Sequence, residues 1–172
     1  MKYVFMIAAL AVFCSCGQAK NTGENGSADT SEAVLELSDI PGADKLTFSD
    51  TILISANDDM QFDHDLFKIK SGKKVYLQLT NTGAKTGMPM AHNVVILRQG
   101  TDLSAFGEEA RKFKDAQYIP ATFAGSVIAH TKQVVAGASD GITFSIDKPG
   151  VYDFICSYPG HWGTMQGKII VE

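Results

Sequence analysis

The sequence predicts an all-β domain, a sandwich of two sheets with one short helical insertion. Two observations support this prediction. From about residue 50 onward, short runs alternate apolar and polar residues with a period of two, which is typical of half-buried strands. Clusters of Gly, Pro, Asn, Asp and Ser separate these runs, so the predicted strands recur every 8–12 residues or so, as in two-sheet sandwiches.

Composition and charge limit the class of protein. The chain has 172 residues, of which 45% are hydrophobic and 20% charged, enough for one domain with a tail. The formal net charge is −4 and no cluster of Lys and Arg is present, which argues against a nucleic-acid partner. No apolar run reaches the roughly 20 residues of a membrane-spanning helix. Only Cys156 of the three cysteines lies beyond residue 16, so the domain has a single thiol.

The first 15 residues have the layout of a bacterial secretory signal, with one Lys, a short apolar stretch and then small residues. The ending Cys14-Ser15-Cys16-Gly17 resembles a lipoprotein lipobox, which implies cleavage before a cysteine that then carries acyl chains. Cys16 is favoured as the lipidated residue because the small Ser15 precedes it and Gly17 follows. Cys14 and a plain signal peptide are the alternatives. The sequence therefore predicts a periplasmic or otherwise extracytoplasmic protein, anchored to a membrane by lipid.

Residues 16–48 are predicted to form the lipidated cysteine and a flexible tether. Gly, Ser, Asn, Asp and Glu dominate as far as Ser31, and such a segment cannot bury enough apolar surface to offset its chain entropy. The second half is more apolar and contains Val34, Leu35, Leu37 and Ile40. The sequence leaves open whether this half packs on the domain or lengthens the spacer.

Residues 49–172 form the predicted β-domain. Alternation is clearest at residues 75–80, 142–147 and 151–156. In the last of these runs Tyr152, Phe154 and Cys156 lie on one face of the strand. Residues 101–116 are charged and helix-prone instead, and they are predicted to form the helical insertion.

Two short segments, residues 90–93 and 156–165, contain the side chains with metal-binding chemistry. They supply His92, Cys156, His161 and Met165. Two imidazoles, one thiolate and a weak axial thioether are the ligand set of blue copper sites. After the strand that ends at Cys156, Pro159-Gly160 reverses the chain, so His161 can return to the same metal.

The four predicted ligands have different tasks. The soft thiolate of Cys156 favours Cu(I), the imidazoles suit both oxidation states, and the thioether of Met165 tunes the reduction potential. Asn93 is predicted to form hydrogen bonds that fix the loop around the sulfur. The remaining histidines, His64 and His130, are predicted to face solvent. Met88 and Met90 are assigned to packing or to the surface, with an accessory Cu(I) site as the alternative.

At these residues the chain resembles the azurin/auracyanin-like blue copper proteins of the cupredoxin family. The matching stretches are Ala56–Phe62, Met90–Asn93, Val127–Thr131 and Cys156–His161. The resemblance covers residues 50–172 and implies an eight-stranded Greek-key sandwich, one type 1 copper ion and one-electron transfer. It assigns His92, Cys156 and His161 as equatorial ligands and Met165 as the axial ligand.

The chain departs from that family at three positions. The family places a backbone carbonyl opposite the axial Met, from a glycine before the first ligand His, and Ala91 occupies this place. Gly72 stands where the family has one cysteine of a disulfide. Val94 stands where some members have a buried tryptophan.

The resemblance also implies an apolar surface patch around His161, through which electrons enter and leave. Its predicted members are Met60, Met90, Pro159, Gly160 and Trp162. The predicted partners are redox proteins such as cytochromes, because weak redox complexes need only small interfaces.

The sequence favours a carrier without catalytic activity over the other copper functions. Nitrite reductases and multicopper oxidases need additional copper centres with many histidines, whereas this chain has four in all. A binuclear centre needs a second cysteine in the ligand loop, which residues 157–165 lack. Copper storage or delivery favours an exposed, exchangeable site. A metal-free adhesion domain would not require this ligand set.

Overall fold

The computed structural model describes residues 40–84 and 90–172. These residues form eight strands, one α-helix and three short 3₁₀ segments. The strands are β1 (Thr51–Ala56), β2 (Leu66–Ile69), β3 (Val75–Asn81), β4 (Val95–Leu97), β5 (Val127–His130), β6 (Ser139–Phe144), β7 (Gly150–Ile155) and β8 (Gln166–Val171). The helix is α1 (Leu103–Ala110), and the 3₁₀ segments are Ala43–Lys45, Lys114–Ala116 and Ala121–Ser126.

The eight described strands form two sheets. One has the order β1-β3-β6 and the other the order β2-β8-β7-β4-β5. β1 pairs in parallel with β3, and β2 with β8, whereas the other pairs are antiparallel. Most neighbouring strands are distant in sequence, because the chain crosses repeatedly between the sheets. The predicted eight-stranded sandwich with a short helical insertion is confirmed.

The main core lies between the two sheets and follows the predicted alternation. In β3, Val75, Leu77 and Leu79 are at most 1% exposed, whereas Tyr76 between them is 41% exposed. The predicted face of Tyr152 and Phe154 on β7, continued by Cys156 directly after the strand, points into the same core. The core therefore continues directly into the candidate ligand loop, where Met165 also packs with it.

The insertion covers the outer face of the larger sheet. The N–H of Ala105 donates to Oδ1 of Asp102 at 3.0 Å, which caps the start of α1. Phe106 and Ala110 then pack against Val95 and Leu97 of β4 in a second apolar cluster. β4 is consequently buried on both faces, since Ile96 between these residues belongs to the main core.

The first described residues pack on the sandwich. Ile40 and Ala43 contact Ile170 of β8 in a third, small cluster. From Ile40 onward the apolar end of the tether thus lies on the domain. The signal segment, Cys16 and the tether up to residue 39 lie outside the described residues. Within residues 40–84 and 90–172, no helix is long and apolar enough to cross a bilayer.

Candidate metal centre

Three of the predicted ligands converge at one end of the sandwich. Sγ of Cys156 lies 3.6 Å from Nδ1 of His161 and 3.9 Å from Nδ1 of His92. The three donor atoms all lie within 4.8 Å of one another. His92 and Cys156 are fully buried and His161 is 3% exposed. Residues 64 positions apart in sequence therefore form one closed site.

The ligand loop is held by its own backbone. Cys156 follows β7, and its N–H donates to the carbonyl of Met165 at 2.9 Å. Inside the loop, the N–H of Met165 donates to the carbonyl of His161 at 2.8 Å, and that of His161 to Tyr158 at 3.0 Å. Gly160 has φ +85°, a left-handed conformation that glycine adopts without strain. These bonds hold the loop in the conformation in which Nδ1 of His161 lies 3.6 Å from Sγ of Cys156.

The other imidazole is fixed by contacts between distant segments. His92 and Val134 exchange two backbone hydrogen bonds, of 3.0 and 2.7 Å. Nδ2 of the buried Asn81, at the end of β3, donates to the carbonyls of Met90 and Val134 at 2.8 and 3.0 Å. The side chain of Asn81 therefore joins the two segments that position His92.

Asn93 links the two segments that contain the predicted ligands. Its Oδ1 accepts from the N–H of Ser157 at 2.8 Å, and its Nδ2 donates to Oγ of Ser157 at 2.8 Å. Both residues are fully buried. A buried amide with both ends paired rigidly fixes the strand after His92 to the loop after Cys156.

The donor atoms fit a copper ion. Metal bonds of about 2.0–2.3 Å to nitrogen and sulfur put the donors of a trigonal site about 3.5–4.0 Å apart. The two sulfur–nitrogen separations fall in this range. Two imidazoles with one soft thiolate suit copper in both common oxidation states. The fully buried Met165 packs in the core beside Cys156.

Comparison with known proteins agrees with this geometry. The family model of copper-binding proteins of the plastocyanin/azurin family matches residues 50–172. The chain belongs to this family. An azurin of Alcaligenes faecalis is 32% identical over 122 residues, which span 69% of this chain and 94% of the azurin. The azurin-1 of Alcaligenes xylosoxydans xylosoxydans is 34% identical over 120 residues, 67% of this chain and 92% of that protein.

Solved structures of two auracyanins show the same fold. An auracyanin of Roseiflexus castenholzii superposes with a TM-score of 0.63 at 32% identity, over 73% of this chain and 99% of the auracyanin. Auracyanin A of Chloroflexus aurantiacus, described as a blue copper protein, has a TM-score of 0.60 at 25% identity, over 71% and 98% of the two chains. The predicted family and the predicted copper cofactor are thus confirmed. This protein is a copper-binding electron-transfer protein, and His92, Cys156 and His161 are the residues that would hold its one copper ion.

Burial sets the protonation of the ligands. Burial raises the pKa of the Cys156 thiol to about 11, although hydrogen bonds from the backbone N–H groups of Asn93 and Tyr158 oppose this shift. Burial, with a smaller contribution from nearby His92, lowers the pKa of His161 to about 4. Without metal, the thiol is therefore protonated and His161 neutral at pH 7.

His92 is also held in its neutral form. Burial lowers the pKa of His92, and this effect outweighs the opposing influence of the Asn57 carbonyl and the Asp58 carboxylate. Both imidazoles can therefore accept a metal ion at neutral pH without first losing a proton.

Copper binding is expected to release one proton per ion at pH 7. The metal needs the thiolate, and the thiol of Cys156, with its pKa near 11, holds its proton until the ion displaces it. The apparent affinity should then rise about tenfold per pH unit between about pH 5 and 10. Calorimetric titration in buffers of different ionisation enthalpy counts the protons. Release of two protons would show that an imidazole is charged at pH 7, and release of none would show a preformed thiolate.

The other histidines lie outside this centre. His64 is on the surface, where its Nδ1 lies 3.3 Å from a carboxylate oxygen of Asp63. His130 is exposed at the end of β5. Both positions agree with the prediction that they face solvent. Met88 lies outside the described residues.

Trp162 makes a contact that the sequence does not predict. Its indole is partly buried in the second cluster, against Gly107 of α1. The contact is not predictable from the sequence, because nothing in the pattern joins a helix in the insertion to the ligand loop. A glycine inside an otherwise helix-prone segment was the available signal.

Two other supporting residues were missed. Asn81 is not among the predicted site residues, and Thr131 appears only as the end of a stretch that resembles the family. The buried Oγ1 of Thr131 accepts from the N–H of Val94 at 3.0 Å, next to Asn93. A polar residue at the end of a strand predicts a turn. Its hydrogen-bond partner in a distant segment of the chain can be identified only from the folded structure.

Proposed function

We propose that the protein is a type 1 (blue) copper carrier that transfers single electrons between extracytoplasmic redox partners. The observation that carries this proposal is the buried triangle of Cys156, His92 and His161. A bound copper ion would supply one electron per cycle between its Cu(I) and Cu(II) states. The chain provides donors that suit both states.

The rigidity of the site supports a carrier. Backbone hydrogen bonds fix His161 and Met165, paired backbone bonds to Val134 fix His92, and the Asn93–Ser157 pair joins the two segments. Ligands that stay in place during oxidation and reduction lower the energy of reorganisation. We assign Met165 as the axial ligand and the Ala91 carbonyl as its counterpart on the other side.

The same site argues against an enzyme. Among the described residues, His92, Cys156 and His161 form the only group of three or more His, Cys or acidic side chains that could hold a metal. The exposed His64 and His130 lie elsewhere, so no second copper centre is formed from residues 40–84 and 90–172.

Electron exchange is proposed to occur at the His161 end of the molecule. His161 is 3% exposed and Gly160 is exposed, and four residues are partly buried, namely Met60, Met90, Pro159 and Trp162. We propose that these residues form an apolar patch that contacts redox proteins such as cytochromes. A small, apolar contact permits close approach and fast release.

A redox titration tests the carrier function. The copper-loaded protein should show an intense visible charge-transfer band that disappears and returns with one electron per molecule. A colourless protein that binds Cu(I) alone would instead indicate a copper-delivery function. Turnover of nitrite or oxygen by the purified protein would contradict the assignment as a carrier.

Met165→Gln is expected to keep the visible band and to lower the reduction potential. An amide oxygen is a harder ligand than a thioether and stabilises Cu(II) relative to Cu(I). Protein-film voltammetry measures the change. Met60→Gln makes the same substitution outside the ligand set and is the control, and an unchanged potential in Met165→Gln would contradict the axial role.

Cys16→Ser is expected to release the protein from membranes into the soluble fraction. We propose that residues 1–15 are a lipoprotein signal and that Cys16 carries acyl chains, each buried CH₂ of which adds about 0.8 kcal/mol of membrane affinity. Cell fractionation and immunoblotting measure the distribution. Cys14→Ser is the matched control and should stay on the membrane. Retention of Cys16→Ser with release of Cys14→Ser would assign the lipid to Cys14.

A further inference from the structure

Gly107 occupies an unfavourable place for a glycine. It lies inside α1, where glycine costs about 0.5–1 kcal/mol relative to alanine. A Cβ at this position would overlap Cγ, Cδ1 and Nε1 of the Trp162 indole. Glycine thus lets the indole lie directly against the helix backbone.

Trp162 immediately follows the ligand His161 in the chain. Its indole packs in the second cluster with Phe106 and Ala110 of α1 and with Ile155, the residue before Cys156. The helix therefore contacts the residue on the C-terminal side of the histidine ligand.

The segment after α1 contacts the residues on the N-terminal side of His161. Tyr118 meets the ring of Tyr158 edge-on, with centroids 5.3 Å apart, and Tyr158 in turn lies 4.7 Å from the His161 ring. Gln117 and Tyr118 both have positive φ, 59° and 58°, a conformation that costs energy for residues other than glycine. Nδ2 of Asn93 also approaches the Gln117 carbonyl at 3.4 Å.

We propose that α1 and the segment after it position the His161 ring by contacting Trp162, which follows His161 in the chain, and Tyr158, whose ring lies against that of His161. Gly107 and Tyr118 are then positioning residues, because they act on the ligand only through these neighbours. The inference rests on the proposed function in one respect, namely that His161 binds copper. Coupling between two sites is reciprocal, so metal binding should also stabilise α1.

The first test is Gly107→Ala in the full chain. The added methyl group displaces the indole, so we expect a shifted visible band, altered copper hyperfine splitting in the Cu(II) EPR spectrum, and copper release to a chelator that is about tenfold faster. Gly125→Ala is the matched control, because its added Cβ has no heavy atom within 4 Å. Alanine alone would strengthen the helix and leave the spectrum unchanged.

Trp162→Leu tests whether the effect of Gly107→Ala depends on the contact with the Trp162 indole. A leucine leaves room for the methyl group, so Gly107→Ala should produce no further spectral change in the Trp162→Leu background. An unchanged spectrum in Gly107→Ala would overturn the proposal, as would an equal shift in both backgrounds. If wild-type protein bound no copper at all, the proposed function itself would fail.

Hydrogen exchange gives a readout that does not depend on the folding of Gly107→Ala. In the wild-type protein, loading with Zn²⁺, a redox-inert probe of the same site, should slow amide exchange in α1. Trp162→Leu should lose most of this added protection, whereas exchange in β3 should respond equally in both proteins. Equal α1 exchange with and without metal in the wild-type protein would overturn the proposal.

Discussion

Cys156→Ser is expected to abolish the intense visible absorption of the copper-loaded protein and its reversible one-electron chemistry. The sulfur lies 3.6 and 3.9 Å from the two imidazole nitrogens, and it is the only thiol among the described residues. A serine hydroxyl is a harder donor whose proton is far more difficult to displace. Absorption and EPR spectra, followed by voltammetry, measure the loss.

The fold of Cys156→Ser should survive, since copper-free wild type and variant differ by one atom in a fully buried position. Circular dichroism of both copper-free proteins is therefore the control. Retention of the visible band in Cys156→Ser would show that the chromophore does not involve this sulfur, and the copper assignment at this centre would fail.

Most of the sandwich could be predicted because its strands depend on local patterns. The alternation in β3 and β7 reflects burial of every second side chain, and the structure shows the same faces buried. β4 has no such pattern. Its residues Val95, Ile96 and Leu97 are all buried, because the core covers one face and α1 the other, and a continuous apolar run carries no periodicity.

The ligands could be predicted because their chemistry is rare and their spacing in the loop is short. Cys156, His161 and Met165 lie within ten residues of one another, so a single turn brings them together. The supporting residues could not be found in this way. Asn81 acts through carbonyls of Met90 and Val134, and such a contact depends on the topology of the whole sandwich.

Phe154→Ala is expected to destabilise the copper-free protein by about 3–5 kcal/mol. The ring is fully buried between Phe62 and Phe67, at centroid distances of 5.6 and 6.0 Å. The Phe154 ring also occupies the space where a Cβ of Gly167 would lie. Removal of the ring therefore leaves a cavity, because Gly167 of β8 has no side chain that could fill it. Denaturant unfolding of the copper-free protein measures the loss, a large part of the 5–15 kcal/mol or so that domains typically have.

Copper should restore part of the stability that Phe154→Ala loses, because Phe154 is not a metal ligand and the variant keeps the copper site. Phe154 lies two residues before Cys156. A ligand that binds only the folded state adds RT ln(1 + [L]/Kd), about 2.7 kcal/mol when its concentration is 100 times Kd. Leu53→Ala is the matched control, since Leu53 is 62% exposed on β1 and its truncation should change stability by no more than about 0.5 kcal/mol. Equal losses in the two variants would contradict the packing role of Phe154. A Phe154→Ala protein that copper does not stabilise at all would show that the ring is needed to form the metal site as well as the core.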